Sequence, residues 1–374
     1  MSGSGKPLSL PRLLAEYAAW AWARTAGRRK RDMALQSALD RLLDGTRFDA
    51  VDVGAALGAP AHWGWMQGPV HLHLVEPRPD AAEQLRRMYA GTPWAERCHV
   101  HQVALSGKAG ATTLHVSNAP TGSSLFELDL DLPADSAGYL DRDYLYPLRK
   151  VDIDTTTLAE LLDGAGAHMV KLDVQGAELD VLKGLGPAMT ADLVCVETEA
   201  GLHGLYRGGS GFAEVHAWLA DQGMELYDVR VARTYLPGQG GAPDIQHALG
   251  VVPNSPSVAA KVWEFDAIFF RRRGDVLARR DAALLRRTLV AYATYNYYAE
   301  AAQLCTQAAT QGIIDADEAH ELTRTLALVH RFKSMRPWYL DSPVNRALLR
   351  LGDRMSPRNS TRWCQHTFQQ YPNG

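Results

Sequence analysis

The residues that could do chemistry stand at the ends of apolar runs. Val51-Asp52-Val53-Gly54-Ala55-Ala56-Leu57-Gly58 closes one run, and Leu74-Val75-Glu76-Pro77 closes the next. In an open parallel sheet a ligand sits beyond the carboxyl ends of the strands, and a glycine-bearing turn lets backbone N–H groups come near it. Gly54, Ala55 and Gly58 are expected in such a turn, with the Asp52 carboxylate just ahead of it and Pro77 beside it. Glu76, at the tip of the second strand, is placed to accept hydrogen bonds from both hydroxyls of a ribose. The loop spacing is GxxxG, whereas a dinucleotide fingerprint needs GxGxxG to bring a helix N-terminus onto a pyrophosphate. A carboxylate beside the loop would repel a pyrophosphate and suit a cation. S-adenosylmethionine, with a sulfonium, an ammonium and no phosphate, therefore fits this charge better than NAD does.

Further along, Ala104-Leu105-Ser106, Gly122-Ser123-Ser124-Leu125, the run from Lys171 to Leu179 (KLDVQGAEL), Val181-Leu182-Lys183-Gly184 and Glu197 follow in order. Tyr206, Phe212-Ala213-Glu214-Val215, Leu219, Gly223 and the Asp266 to Phe270 stretch come after them. In type and spacing these segments resemble the FkbM-type methyltransferases over residues 48 to about 272, most specifically in the KLDVQGAELDVLKG run. Thr157-Leu158-Ala159 stands where that family usually has Thr-Leu-Asp, and Ala56 stands where it commonly has Asn. The resemblance implies S-adenosylmethionine-dependent O-methylation of a hydroxyl on a saccharide, glycolipid or natural product. It places Ala104, Leu105, Ser106, Ser124 and Asp173 with the cofactor.

Methyl transfer from a sulfonium is an in-line displacement, and an alcohol needs its proton taken or its pKa lowered first. Asp173, Glu197 and His203 are the candidate catalytic groups, with Glu199 close by. Asp173 leads, as base, metal ligand or anchor for the methionine ammonium, and these roles stay open. His203 would accept a proton because its ordinary pKa is near 6.5. His62 follows the cofactor loop and could approach the substrate. His71 with His73, and His99 with His101, alternate at the strand period, so each pair shares a face; satisfied strand histidines are expected there rather than zinc ligands, since no thiol or carboxylate completes a set. A divalent metal stays an alternative to a base, with no ligands to name.

These residues need a frame to hold them. Short apolar runs alternate with helical periodicity from 48 to 272, which predicts an α/β doubly wound, mostly parallel, seven-stranded Rossmann-like sheet. The strands are expected at Phe48–Gly54, His71–Pro77, His99–Leu105, Met169–Val174, Leu193–Glu197, Glu225–Val231 and Phe265–Arg271. The last should enter antiparallel, because no helix precedes it. Helices are expected over Pro79–Ala90, Thr157–Gly164, Ala177–Leu185 and Phe212–Gln222, the last stopped by Gly223. The chain divides into an N-terminal helical extension (1–47), a methyltransferase domain (48–273), a C-terminal helical hairpin (274–342) turning at Gln311-Gly312, and a loose tail (343–374). Tyr292, Tyr295, Tyr297 and Tyr298 are expected as packing surface or an oligomer contact. The acidic stretch Ser124–Lys150, with Tyr139, Tyr144 and Tyr146, is read equally as a lid over the acceptor or as a solvated loop.

Thirty-nine Lys plus Arg against 42 Asp plus Glu, a net charge of -3, supply no field for a phosphate backbone, so nucleic acid is not an expected partner. Four scattered cysteines form neither a redox pair nor a zinc knuckle, and a cytoplasmic setting is expected. The Trp20- and Trp22-bearing segment ahead of Arg28-Arg29-Lys30-Arg31 could lie on an anionic membrane face or pack on the main domain. Homo-oligomers through the terminal helices, and a small-molecule or glycan acceptor, complete the expected partners. An NAD-type sugar oxidoreductase or epimerase lacks its phosphate loop and a Tyr-x-x-x-Lys relay here; a scaffold that binds cofactor without turnover is the other alternative.

Overall fold

The structure, a computed structural model, describes residues 30–118, 120–129, 146–202, 204–235 and 261–333. Ten strands run in chain order: β1 (Phe48–Val53), β2 (Val70–Val75), β3 (Cys98–His101), β4 (Ala104–Leu105), β5 (Gly110–Ser117), β6 (Pro147–Thr156), β7 (Met169–Leu172), β8 (Cys195–Gly201), β9 (Met224–Tyr235) and β10 (Lys261–Arg271). Seven of them form one sheet in the order β3-β2-β1-β7-β8-β10-β9. The β1–β2, β1–β7, β2–β3 and β7–β8 pairs are parallel, and β10 is antiparallel to both β8 and β9. This is the expected mixed α/β sheet, with the last strand reversed as predicted.

The helices are α1 (residues 30–43), α2 (Pro79–Tyr89), α3 (Leu158–Leu161), α4 (Glu178–Lys183), α5 (Gly186–Asp192), α6 (Phe212–Asp221), α7 (Arg273–Ala278), α8 (Ala282–Thr294), α9 (Tyr298–Thr310) and α10 (Ala316–Lys333). Local chemistry accounts for their ends. Pro79 opens α2, with Asp80 in its first turn and Arg86 and Arg87 in its last, as the helix dipole favours. Thr157 and Glu160 form a capping box on α3, so Ala159 costs this start no cap. Gly223, at φ +78, takes the left-handed position just past α6.

Alternate residues of the buried strands feed two cores, one on each sheet face. Phe48, Leu72, Met169, Ile268 and Phe270 join Leu39 of α1 and Leu289 and Tyr292 of α8 in the first. Val51, Val170, Leu172, Val196 and Phe269 join Leu182 and Leu219 in the second. Both terminal helical segments therefore cover the same face, and Arg286 ties them by donating to the carbonyls of Arg41 and Leu42.

Three expectations need correction. The predicted strand His99–Leu105 is two strands: the chain leaves the main sheet after His101, and Ala104-Leu105 pair with Thr155-Thr156 in a second sheet of order β4-β6-β5. An apolar alternation reports which face is buried and not which strand is the partner, so the switch was invisible. The first arm of the C-terminal hairpin, expected to run unbroken over Asp275–Gln311, is α7, α8 and α9, broken where Arg280 (φ 50) and Asn296 (φ 70) turn left-handed. Of the four tyrosines expected as packing surface or an oligomer contact, Tyr292 and Tyr295 are fully buried and cannot meet a partner, while Tyr297 and Tyr298 are half-buried and pack against the first core. The N-terminal membrane segment, His203, Tyr139, Tyr144 and the tail from residue 343 lie outside the described residues, among which no helix is long and apolar enough to cross a membrane.

Candidate active site

β1, β7 and β8 lie side by side with Asp52 opposite Lys171 and Lys171 opposite Glu197, a charged row crossing the sheet near its carboxyl edge. All three point to the face covered by α8, because they alternate with the apolar residues of the opposite core. Asp52 is 1% exposed; Lys171 Nζ is 3.8 Å from its Oδ1, and that oxygen has no hydrogen-bond partner. Burial, opposed by Lys171 and reinforced by Asp173, Glu197 and Glu76, pushes the Asp52 carboxyl up to about 7. For Lys171, burial is outweighed by Asp52, Asp173 and Glu197, which hold its ammonium above the usual lysine range.

Asp173 opens the turn after β7. Its Oδ2 lies 3.5 Å from Lys171 Nζ, and Gln175 Nε2 donates both to its Oδ1 at 3.0 Å and to Glu199 at 2.7 Å. Gln175 sits at φ +56, a conformation that costs an ordinary residue roughly 1–2 kcal/mol. Three groups hold it there: Tyr206 donates to its side-chain oxygen at 2.8 Å, Ser124 Oγ to its carbonyl at 2.6 Å, and the next residue is Gly176 at φ +103. Glu178 accepts from the backbone N–H groups of Val174 and Gly176, closing the same turn from below; burial pushes its carboxyl up to about 7. Beside the turn opens a cleft lined among others by Gln175, Glu199, Tyr206, Ser210 and Glu264.

Glu197 is 6% exposed and accepts a 2.6 Å hydrogen bond from Tyr295. His62 Nε2 stands 3.1 Å from the same oxygen, off the hydrogen-bond direction. Burial works against the Glu197 charge, but His62, Tyr295 and Lys171 outweigh it and hold the carboxyl below the usual range.

The expected residues fall into place unevenly. Asp52, Asp173 and Glu197 meet in the row and its adjoining turn. Glu76 is 4% exposed at the end of β2; burial raises its carboxyl, and Arg78 N–H donates to it at 2.9 Å. The loop at Gly54, Ala55 and Gly58 does not present the free N–H groups expected of it: the first two donate to the Val75 carbonyl and the third to Ala55. Gly54 is needed for another reason, since a Cβ there would lie 2.0 Å from the Asp173 carbonyl oxygen. Ala104 and Leu105 belong to the small sheet, Ser106 N–H donates to Thr156, and Ser124 supports Gln175. Pro77 is half-buried behind Glu76. Tyr295 and Gln175 were missed as site residues: Tyr295 lies 98 residues from Glu197 in sequence and reads as core. Among the described residues no group of three or more His, Cys, Asp or Glu side chains could hold a metal ion. The paired histidines instead stack, with His73 and His99 ring centroids 5.0 Å apart.

This sheet order, with one reversed strand next to its edge and acidic groups at the central strand ends, is a Rossmann-like doubly wound arrangement. Residues 52–226, a little under half of the chain, match the model of the methyltransferase FkbM domain. No curated protein matches it. Among solved structures, the FkbM methyltransferase of Methylobacillus flagellatus is 15% identical, covering 60% of this chain and 44% of its own, with a TM-score of 0.34. This chain thus spans less than half the length of that protein. The B. subtilis m1A22 tRNA methyltransferase TrmK is 8% identical, covering 80% and 96%, at a TM-score of 0.27. Likenesses of this strength do not bear on the substrate.

Proposed function

We propose that this methyltransferase domain uses S-adenosylmethionine to methylate a hydroxyl, on a saccharide, glycolipid or natural product. The observation that carries the reading is Asp52: a buried carboxylate oxygen without a hydrogen-bond partner, at the strand end where a cationic ligand would sit. Lys171 is outnumbered there by Asp52, Glu76, Asp173, Glu197 and Glu199, so the region favours a sulfonium and an ammonium and disfavours a pyrophosphate. Glu76 would take the ribose hydroxyls, and Asp173, whose side chain is 38% exposed, would hold the ammonium. When bound, the cofactor supplies a methyl group on a positively charged sulfur.

The chain's own part is alignment and proton removal. Gln175, locked between Asp173, Glu199 and Tyr206, fixes the wall where donor and acceptor sides meet. The adjoining cleft, with Glu199, Glu264 and Ser210, offers hydrogen-bond acceptors to a polyhydroxylated molecule. Thermal unfolding of the full chain with S-adenosylhomocysteine or NAD tests the cofactor: about 100 Kd of a native-state ligand adds about 2.7 kcal/mol. A rise in Tm with the first and none with the second is expected; the reverse sinks the reading. Transfer of labelled methyl to glycosides, set against transfer to RNA, tests the acceptor.

A further inference from the structure

Under the reading above the acceptor hydroxyl must lose a proton, and one cluster on the α8 face is built to take it. Tyr295, in the turn between α8 and α9, donates to Glu197 and receives the indole N–H of Trp63 at 3.4 Å, so its phenol has one orientation. Its turn is clamped from two sides. Lys333 Nζ donates to the carbonyls of Ala293 at 2.6 Å and Thr294 at 2.9 Å; Arg230 donates to the Tyr295 carbonyl at 3.1 Å and stacks over its ring at 5.5 Å. Glu197 is thereby held as a fixed, ionised acceptor facing His62, whose ring centroid is 4.9 Å from that of Tyr295.

The His62 side chain is 26% exposed, yet its Nε2 is shielded from solvent. The exposed part is therefore the rest of the ring. Although no hydrogen bond forms in this geometry, Nε2 lies 3.1 Å from an ionised carboxylate oxygen, and the tautomer that turns a hydrogen rather than a lone pair toward that charge is electrostatically preferred, which leaves the Nδ1 lone pair free. A base held in one tautomer by a carboxylate that is itself oriented by a third group is the arrangement that activates a weak nucleophile. A carboxylate that merely filled a buried slot would need Tyr295 but no imidazole at the solvent margin.

We propose that His62 is the group that accepts the acceptor's hydroxyl proton, with Glu197 and Tyr295 as positioning residues; this rests on the methyl-transfer reading above. The O–H bond breaks and its proton goes to Nδ1. The oxygen's electron pair forms the new bond to the methyl carbon, and the carbon–sulfur pair returns to sulfur. The imidazolium then gives its proton to water at the exposed edge. Tyr295 lies outside residues 52–226, so the C-terminal helices complete a site that the matched domain only begins.

Long-range 1H–15N NMR on the full chain labelled at histidine, with H62N to assign the signal, tests the cluster without any acceptor. The Nε2–H tautomer at His62 is expected, disturbed in E197Q and in Y295F; an Nδ1–H tautomer in the wild type overturns the proposal. In turnover with labelled S-adenosylmethionine and soluble glycosides, H62A should lose about 100-fold or more in kcat. Its S-adenosylhomocysteine Kd should stay within about twofold, with part of the rate restored by free imidazole. Wild-type turnover by H62A, or equal loss of turnover and cofactor affinity, also overturns it. If the wild type fails to bind S-adenosylhomocysteine, the cofactor reading fails. If it binds but methylates no glycoside, the saccharide class fails, and the NMR result still decides the cluster.

Discussion

Asp49 and Asp52 stand three residues apart on the same central strand, both buried, and the protein treats them in opposite ways. Asp49, on one face, accepts two bonds from Arg47 Nε and one from Nη2, at 2.8 to 3.1 Å, with Gly166 N–H at 3.2 Å. His73 reaches its Oδ1 at 3.2 Å and is backed by His101 at 3.1 Å. Burial opposes its charge, but His73 and Arg47 outweigh it, so the carboxyl is held well below the usual range. Asp52, on the other face, has an oxygen with no hydrogen-bond partner and a carboxyl pushed up to about 7. A fully satisfied buried carboxylate stabilises the fold, whereas a poorly satisfied one on the same strand is the feature on which the proposed cofactor site rests.

Breaking the satisfied member should cost most. D49A leaves His73 and the Gly166 N–H without their acceptor in the core, while the half-exposed Arg47 turns to water, and urea unfolding should show a loss of about 2–3 kcal/mol. Full-length D49A that unfolds at the wild-type denaturant concentration would abolish the contrast.

Acid is the next lever, and the two faces pull against each other. His168 accepts the Asp49 N–H at 2.8 Å; burial above all, then Arg287, lowers its pKa from 6.5 to about 4. His101 is lowered to about 4 by burial and then by His73 and His99. Their stabilisation is complete above about pH 6.5 and is lost as pH falls towards 4, with roughly 3 kcal/mol from His168 alone. Asp52, raised from 3.8 to about 7, acts with the opposite sign: its contribution is present below about pH 4 and is lost as pH rises to 7. The two therefore partly cancel between pH 4 and 6.5. Thermal melts of D52N across that window should rise more steeply with pH than those of the wild type; parallel curves would show that Asp52 is not strained.

The smallest effect on stability sharpens the comparison furthest. At pH 7, where the Asp52 carboxyl is only partly ionised, D52N removes little charge and that charge is poorly solvated, so the free energy of unfolding should change by no more than about 1 kcal/mol. Calorimetric affinity for S-adenosylhomocysteine, which keeps the ammonium, should fall about tenfold or more. Undiminished affinity would make Asp52 a structural residue like Asp49.

Much of this frame was legible along the chain. The almost continuously buried runs Phe48–Val53 and Met169–Leu172, the Gly223 stop and the reversal of β10 follow from residue types a few positions apart, because strand and helix signals are local. Asp52, Glu76 and Asp173 could be named for the same reason: carboxyl ends of neighbouring parallel strands converge whatever the rest of the fold does. The second sheet was hidden, since Ala104-Leu105 read the same whether paired to β2 or to β6. So were the breaks at Arg280 and Asn296, where ordinary residues turn left-handed without a glycine to announce it.

What the order of amino acids determined alone was the pattern of apolar faces and the chemical kind of groups at the strand ends, since both depend on contacts within one element. Which of two aspartates is satisfied, why Gly54 cannot carry a side chain, and that a tyrosine 98 residues away steadies Glu197 were decided by the tertiary structure. Hydrogen-bond saturation and desolvation are properties of a neighbourhood, and the neighbourhood exists only once the helices have closed over the sheet.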